Sequence, residues 1–564
     1  MARSKNAWHS IVEGLEAEGV RYLFGMPGNP RLLYDALYDS NLIRTVHARE
    51  QSSGAFMALA YARAAGNTGV CFGSTGPGFT NMLSAVLEAQ AAAVPLVVLS
   101  ASVSVAHEGM PAFQEADQLS MARPITKWAY RIPAPERTPW ALRRAFQIAR
   151  SGCPGPVYLE IPVDLSLKSA AIPPYETSPA VAPPAPDPAA LTQVAQLLMQ
   201  SESPVLIAGG GAVSSQAFDE LRTFAEEQGI PVLSSASGRG IIDENHPLSL
   251  GLTGLYFTRL GREHYFKADL LLILGSRNEQ FETGAWSYKP PNAKIVQVDI
   301  DATAINRNWQ ADIGITADVR STLSALRQLL PPPDPNSARL ARSQSIQAAK
   351  ASYLTEVRNE SLQEYGQLKT KRVLAEYQDV FGTGSVLVNE NGAQDLWSYY
   401  SPYMRVPVRG CVPPGAQTCM GAGVSGAVGV KLARPEEPVV CVCGDGAFQM
   451  YMRELATAAQ YGLGICYLVL NNQALGWIKY HQLHNKERYI DTQFEVQQNF
   501  AAVAEASGCL GIRIENEAEL RAALEAAHRA TQSGRPAVLD CHIDDEQPPG
   551  FRDFHREILG YEEA

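Results

Sequence analysis

Short, wholly apolar runs alternate with helical patterns along the whole chain, and this alternation limits the fold more than any other feature. In the first third, residues 20–25 precede a helical stretch over 30–38. Residues 70–73 then enter a glycine-rich turn and a helix-like 80–91, followed by 95–100. In the middle, 204–208, 231–234, 270–274 and 294–298 are β-branched or leucine-rich runs separated by helical segments; 386–388, 439–442, 464–470 and 537–541 repeat the scheme near the end. Strands that are apolar on both faces and alternate with helices predict parallel sheets covered on each side. Right-handed crossovers then collect the strand C-termini, and any ligand, along one edge.

Two proline-rich passages divide the pattern. AAIPPYETSPAVAPPAPDPA, residues 170–189, and PPPDPNS, residues 331–337, are poor substrates for regular structure because proline lacks a donor and restricts its neighbour. The division predicts three doubly wound α/β domains at 1–169, 190–330 and 351–545, with linkers at 170–189 and 331–350 and a C-terminal tail from 546 to 564. Each block is of ordinary domain size. No short internal repeat is present, which excludes a solenoid.

The net charge of −11 and the lack of a basic run argue against a nucleic-acid or anionic-membrane surface and favour a small-molecule partner. No stretch reaches the ~18 apolar residues of a spanning helix, and the first residues do not read as a signal peptide. Nine cysteines, an odd count set mostly within apolar runs, suit reduced thiols in a cytoplasmic protein.

One segment carries chemistry by its residue types. In VVCVCGDGAFQMYMRELATAAQYGLGICYLVLNNQALG, residues 439–476, an apolar strand enters Gly444-Asp445-Gly446, a helix follows from near Ala447, and a second apolar strand ends at Asn471-Asn472. A crossover that lays the strands side by side brings Asp445 and Asn472 together across the intervening helix. Mg²⁺ prefers an octahedron of oxygens with few protein carboxylates and phosphate oxygens to complete it. Asp445 offers a carboxylate, Asn472 a side-chain carbonyl and Ala474 a main-chain carbonyl. Gly444 and Gly446 permit close approach to phosphate, and the helix N-terminus presents N–H groups to that anion.

The G-D-G…N-N segment resembles the signature of thiamine diphosphate-dependent enzymes. The likeness is to the acetolactate synthase group, which includes benzoylformate decarboxylase, benzaldehyde lyase and glyoxylate carboligase. It extends over FGMPGNP, HAREQSSGAFMALAYARAAG, GSTGPGFTN, AFQEADQLSMARPITKWA and GPVYLEIPVDL early, and GVKLARPEEPVVCVCGDGAFQMYMRELATAAQYGL late. The resemblance implies pyrimidine-binding, central and diphosphate-binding domains, bound thiamine diphosphate and Mg²⁺, and a homodimer or homotetramer with active sites at the subunit interface.

It also implies roles for particular residues. Glu50, in His47-Ala-Arg-Glu50, matches the acid that bonds the cofactor's aminopyrimidine and promotes formation of the C2 carbanion, a proton shuttle that needs a dry, well-placed carboxyl. Gly76 and Pro77 in GSTGPGFTN, and Asn391, Gly392 and Gln394 later, match cofactor-contacting loops, with Leu475 and Gly476 closing the metal loop. Met420 matches the aliphatic residue that bends the cofactor, and the Thr418 carbonyl matches the partner of its amino group, at a position usually held by glycine. Gln114 matches a glutamine lining the reaction cavity, and Gly28 and Asn29 match the loop facing the substrate. His481 stands where acetolactate synthase commonly carries tryptophan, so it is either an acid–base group in an altered acceptor pocket or a solvent-facing residue.

In the central block, Gly210 lies in Ala208-Gly-Gly-Gly211, which lacks a full dinucleotide spacing. The resemblance there points to Arg277, Asp299 and Asp318 as FAD contacts, with Phe281 where an arginine is usual. The alternative is an empty or ADP-binding remnant. The expected activity is decarboxylation of a 2-oxo acid with ligation of the resulting enamine to a second carbonyl. The alternatives are a non-ligating decarboxylase of the benzoylformate type, an acyloin lyase working on an aldehyde-derived product, a non-catalytic scaffold or a nicotinamide dehydrogenase.

Overall fold

The structure is a computed structural model, and it describes residues 3–28, 31–331, 334, 337–400 and 402–551. It contains three six-stranded sheets, all parallel, interspersed with helices. The first has the spatial order Arg44–His47, Tyr22–Gly25, Gly69–Gly73, Leu96–Ser102, Pro156–Pro162, Trp128–Arg131. The central sheet runs Ser249–Leu252, Val232–Ser234, Pro204–Ala208, Leu270–Leu274, Lys294–Asp299, Ile313–Thr316. The third runs Cys411–Val412, Val386–Asn389, Val439–Gly444, Ile465–Asn471, Ala537–His542, Leu510–Ile514.

The apolar runs are continuous because alternate side chains enter different cores. Leu270, Leu272 and Leu274 join one cluster with Leu206, Val296 and Leu323, while Leu271 and Ile273 join another with Val205, Ile207 and Ile295. A strand buried on both faces has no polar face to show.

Numbered in chain order within each sheet, the first and third sheets share the order 2-1-3-4-6-5, whereas the central one is 3-2-1-4-5-6. Each order reverses beside its first strand, and ligands of such sheets bind outside the strand C-termini at that reversal. The loops leaving the reversal strands carry many of the expected site residues. They are 26–28 and 74–77 in the first sheet, 209–211 and 275–277 in the central one, and 390–394 and 445–446 in the third.

The structure corrects several expected boundaries. Residues 170–189 are not wholly irregular: Ala170–Ile172, ahead of the first proline, still have their N–H groups and pair antiparallel with Arg3–Lys5. Pro188 opens the Pro188–Gln200 helix, where a missing N–H costs nothing. Much of the expected 331–350 linker is helix, since Ser337 caps Ala338–Ser361. The helix-like 80–91 is the helix Leu83–Ala91 preceded by the short Pro77–Thr80, and the helix expected near Ala447 starts at Asp445. The tail from 552 onward, and Asn29, lie outside the described residues.

The chain divides into two compact units. One comprises Met1–Ala182, Pro414–Pro435 and Tyr451–Tyr461; the other comprises Pro183–Pro413, Glu436–Met450 and Gly462–Ala564.

Candidate active site

In the first unit, Glu50 is the N-cap of the Gln51–Ala65 helix rather than a residue of its first turn. Its Oε2 accepts the N–H groups of Ser52 at 2.8 Å and Ser53 at 3.2 Å, together with the Ser52 hydroxyl. The loop before it is clamped from the Tyr451–Tyr461 segment. Arg49 N–H lies 3.0 and 3.2 Å from the two oxygens of Glu454, and His47 N–H donates to the Tyr461 hydroxyl at 2.8 Å. Glu454 is 0% exposed, and burial pushes its carboxyl above the ordinary range although Thr457 donates to it.

Gly76 has φ +61°, and a Cβ there would lie 2.6 Å from the carbonyl of Gln114, which is itself at φ +63°. The Gly76 N–H donates to Oε1 of fully buried Gln118 at 2.6 Å. The Gln118 amide nitrogen in turn donates to Ser100 Oγ, the Ala101 carbonyl and Tyr158 Oη. Gln118 therefore ties Gly76-Pro77 and the Gln114 loop to the first sheet. Gly28 is exposed in its loop, near Ser74.

The loop bearing Thr418 and Met420 is anchored on buried Glu88, which accepts Cys419 N–H at 2.9 Å. Thr418 has φ +47°, a left-handed conformation that explains why glycine suits this position. The Ala422–Ala433 helix that follows packs closely on Gln51–Ala65 through small residues; a Cβ on Gly429 would meet the Met57 carbonyl at 2.0 Å. Tyr451 links the two ends of this arrangement. Its hydroxyl lies 3.2 Å from Ser52 Oγ, and its ring occupies the space a Cβ on Gly421 would need.

In the second unit the strands Val439–Gly444 and Ile465–Asn471 pair directly, with Gly444 opposite Leu470, as the spacing requires. Asp445 is 2% exposed and accepts the backbone N–H groups of Gly446, Gln473 and Ala474. Burial nevertheless pushes its carboxyl up to about 7. The two asparagines separate in role. Asn471 is buried and bonds Asp540 and Gln473 N–H, whereas Asn472 Nδ2 donates to Asp545 Oδ1 at 2.8 Å. Leu475 N–H is held by the Thr492 carbonyl, and a Cβ on Gly476 would sit 3.2 Å from Ala393 and 3.3 Å from Asn472 Nδ2. The Asn391-Gly392 loop therefore lies against the metal loop. Gln394 is buried, and its amide donates to the Tyr480 hydroxyl at 2.6 Å.

This donor set fits a divalent cation with a diphosphate. A buried carboxylate relieved only by N–H groups gains from a positive ion. Asparagine and main-chain carbonyls suit Mg²⁺, and nothing occupies the space beside Gly444 where a side chain would project.

His481 lies among rings: Trp477 at 5.7 Å and Phe551 at 6.2 Å, both edge-on. Burial lowers its basicity, with nearby His484 adding to the effect.

In the central part, the glycine turn is packed shut. Gly211 N–H donates to the Gly275 carbonyl, and a Cβ on Gly209 would meet that oxygen at 2.2 Å. Arg277 pairs with Glu279 at 2.6 Å, and Asp318 caps the Val319–Leu329 helix. Asp299 and Glu282 are both raised by burial, Glu282 to about 7. Gly210 opens the short Gly210–Ser214 helix. One buried and one half-buried acid beside an arginine already paired are a poor match to an FAD diphosphate.

Sequence reasoning missed Glu454, Gln118, Glu88 and Asp545. Glu454 and Gln118 both lie inside stretches that carried the family likeness, and that likeness is the signal that could have found them.

Family models match in three consecutive pieces: "Thiamine pyrophosphate enzyme, N-terminal TPP binding domain" at residues 5–121, the central domain at 191–326 and the "C-terminal TPP binding domain" at 392–541. The chain is 32% identical to the probable acetolactate synthase large subunit of Methanocaldococcus jannaschii, over 96% of this chain and 93% of that one. It is 31% identical to the acetolactate synthase isozyme 2 large subunit of Escherichia coli K12, over 96% and 97%, and 33% identical to the acetolactate synthase of Mycobacterium leprae, over 94% and 86%. With a buried Asp445 beside the Asn472 loop and a capped Glu50 on a clamped loop, these similarities over nearly the whole length lead to one statement: the chain belongs to the thiamine pyrophosphate enzymes, within their acetolactate synthase-like group.

Proposed function

We propose that the protein decarboxylates a 2-oxo acid, releasing CO₂, and joins the remaining acyl fragment as a nucleophile to a second carbonyl compound, as an acetolactate synthase-like carboligase. The observation that carries this reading is the Asp445 site: a buried carboxylate between two parallel strands, beside an asparagine loop, in a chain alike to acetolactate synthases from end to end.

Asp445, Asn472 and the Ala474 carbonyl would hold Mg²⁺, with Gly444, Gly446, Ala447, Asn391, Gly392, Leu475 and Gly476 around the diphosphate. Bound there, thiamine diphosphate supplies the electron sink and the metal neutralises its phosphates. Glu50 holds and returns a proton at its carboxyl, kept in place by the Ser52 and Ser53 N–H groups. The Thr418 carbonyl and the Met420 side chain orient the cofactor rings. Gln114, on a loop fixed through Gly76 and Gln118, faces the substrate together with the Gly28 loop. Gln394 lies on the same loop as Asn391 and Gly392 and would also face the diphosphate, its amide being oriented by the bond to Tyr480. His481, set among the Trp477 and Phe551 rings, shapes an acceptor pocket.

FAD has no step in this reading, because the central residues are engaged within the protein. The enzyme works as a homodimer or homotetramer in the cytoplasm. Its nine cysteines form no disulfide among the described residues, and seven of them are buried, which suits a reducing compartment. Incubation with pyruvate, thiamine diphosphate and Mg²⁺, followed by NMR, tests the reading: acetolactate or another acyloin supports ligation, and aldehyde alone identifies a non-ligating decarboxylase.

A further inference from the structure

Asp545 lies in the segment that follows the Ala537–His542 strand and bonds the candidate metal loop directly. Its Oδ1 accepts from Asn472 Nδ2 at 2.8 Å, and its Oδ2 is 2.5 Å from Lys479 Nζ on the Gly476–His484 helix. Tyr480 Oη lies 3.3 Å from Asp545 Oδ1 and takes the Gln394 amide proton at 2.6 Å. A continuous polar chain therefore runs from Gln394 through Tyr480 and Asp545 to Asn472. It joins four segments, the 390–394 loop, the Gly476–His484 helix, the candidate metal loop and 543–546 after the strand.

An asparagine amide has one donating and one accepting end, and its orientation is set by its partners. A cation can use only the oxygen. We propose that Asp545 is a positioning residue for the metal site: by taking the Nδ2 hydrogen of Asn472 it fixes that amide with the oxygen as the end offered to a divalent cation. Lys479 neutralises the Asp545 carboxylate, so the acceptor does not set a lone negative charge against the diphosphate. The inference rests on the metal-diphosphate reading of Asp445 and Asn472. It assigns Asp545 and Lys479 no contact with the cofactor. Loss of such outer partners costs roughly 10–100-fold in metal affinity in other sites.

The test is a Mg²⁺ titration of full-length protein at saturating thiamine diphosphate, followed by intrinsic tryptophan fluorescence, on wild type, Asp545→Ala and Asp545→Asn. The melting temperature of each cofactor-free protein serves as a fold control. Asp545→Ala is expected to raise the apparent Mg²⁺ dissociation constant by about 10-fold or more. Asp545→Asn keeps an acceptor oxygen for Asn472 and is expected to recover most of the loss. Equal or tighter Mg²⁺ binding by Asp545→Ala overturns the inference alone, as does an Asp545→Asn variant as weak as the alanine one. A wild type that takes up no cofactor with Mg²⁺ overturns the functional reading and this inference together.

Discussion

Glu454 receives the backbone N–H of Arg49 between its two carboxylate oxygens, at 3.0 and 3.2 Å, one residue before the glutamate that caps the Gln51–Ala65 helix. A fully buried acid thus fixes the main chain entering Glu50. Its cost is visible in the burial that raises its carboxyl, and it is offset by Thr457 and Arg49. Glu454→Ala leaves the Arg49 N–H without its acceptor, a loss of about 1–3 kcal/mol. The expected outcome is a fall in kcat/KM of at least tenfold, with a lower melting temperature. Glu454→Gln keeps one oxygen and should fall between, and steady-state kinetics beside thermal denaturation separate the two effects.

Asp445→Asn preserves shape and removes charge. Without the carboxylate, Mg²⁺ should bind at least as weakly as the ~100-fold that marks loss of a strong outer partner. The variant should still fold, since a carboxyl pushed up to about 7 gains nothing from its charge in the metal-free protein. Calorimetric titration of Mg²⁺ with thiamine diphosphate measures this.

Thr418 holds φ +47°, where a β-branched residue is strained. Left-handed backbone costs a non-glycine residue roughly 1–2 kcal/mol, part of which glycine returns through its freer unfolded chain. Thr418→Gly should therefore raise stability by about 1 kcal/mol in urea denaturation, and a destabilised variant would show that the loop is held by the side chain instead.

Glu282 accepts the Ser276 hydroxyl and is raised by burial to about 7. A folded-state value above the unfolded one favours the protonated form. Its contribution is thus fully present below about pH 4.5 and is lost as pH rises through about 7. Glu282→Gln removes that dependence. At pH 8 the variant should be more stable than wild type by roughly 1–3 kcal/mol, and the two should converge near pH 5. Melting curves across that range give the answer.

Much of this was legible in the chain. Pro204–Ala208 and Leu270–Leu274 match their expected strands to the residue, because a wholly apolar run bounded by helices has few other uses. The pairing that puts Asp445 beside the Asn472 loop follows from the same logic. Less was legible where tertiary bonds decide. Trp128–Arg131 and Leu510–Ile514 are edge strands of mixed burial whose side chains do not alternate cleanly. The capping geometry of Glu50 depends on backbone angles that one sequence cannot fix. The bond from the Gln394 amide to Tyr480 spans 86 residues and is likewise invisible locally. Asp545 and Gln118 act through partners 73 and 42 residues away, beyond any local pattern.

The most direct measurement is the turnover of pyruvate by wild type and by Glu50→Gln, with thiamine diphosphate and Mg²⁺ present and products read by NMR. Wild type should release CO₂ and form an acyloin acid such as acetolactate, and Glu50→Gln should lose most of that activity while still taking up cofactor. Unchanged turnover in Glu50→Gln, or no reaction of wild type with any member of a 2-oxo acid panel, would contradict the account.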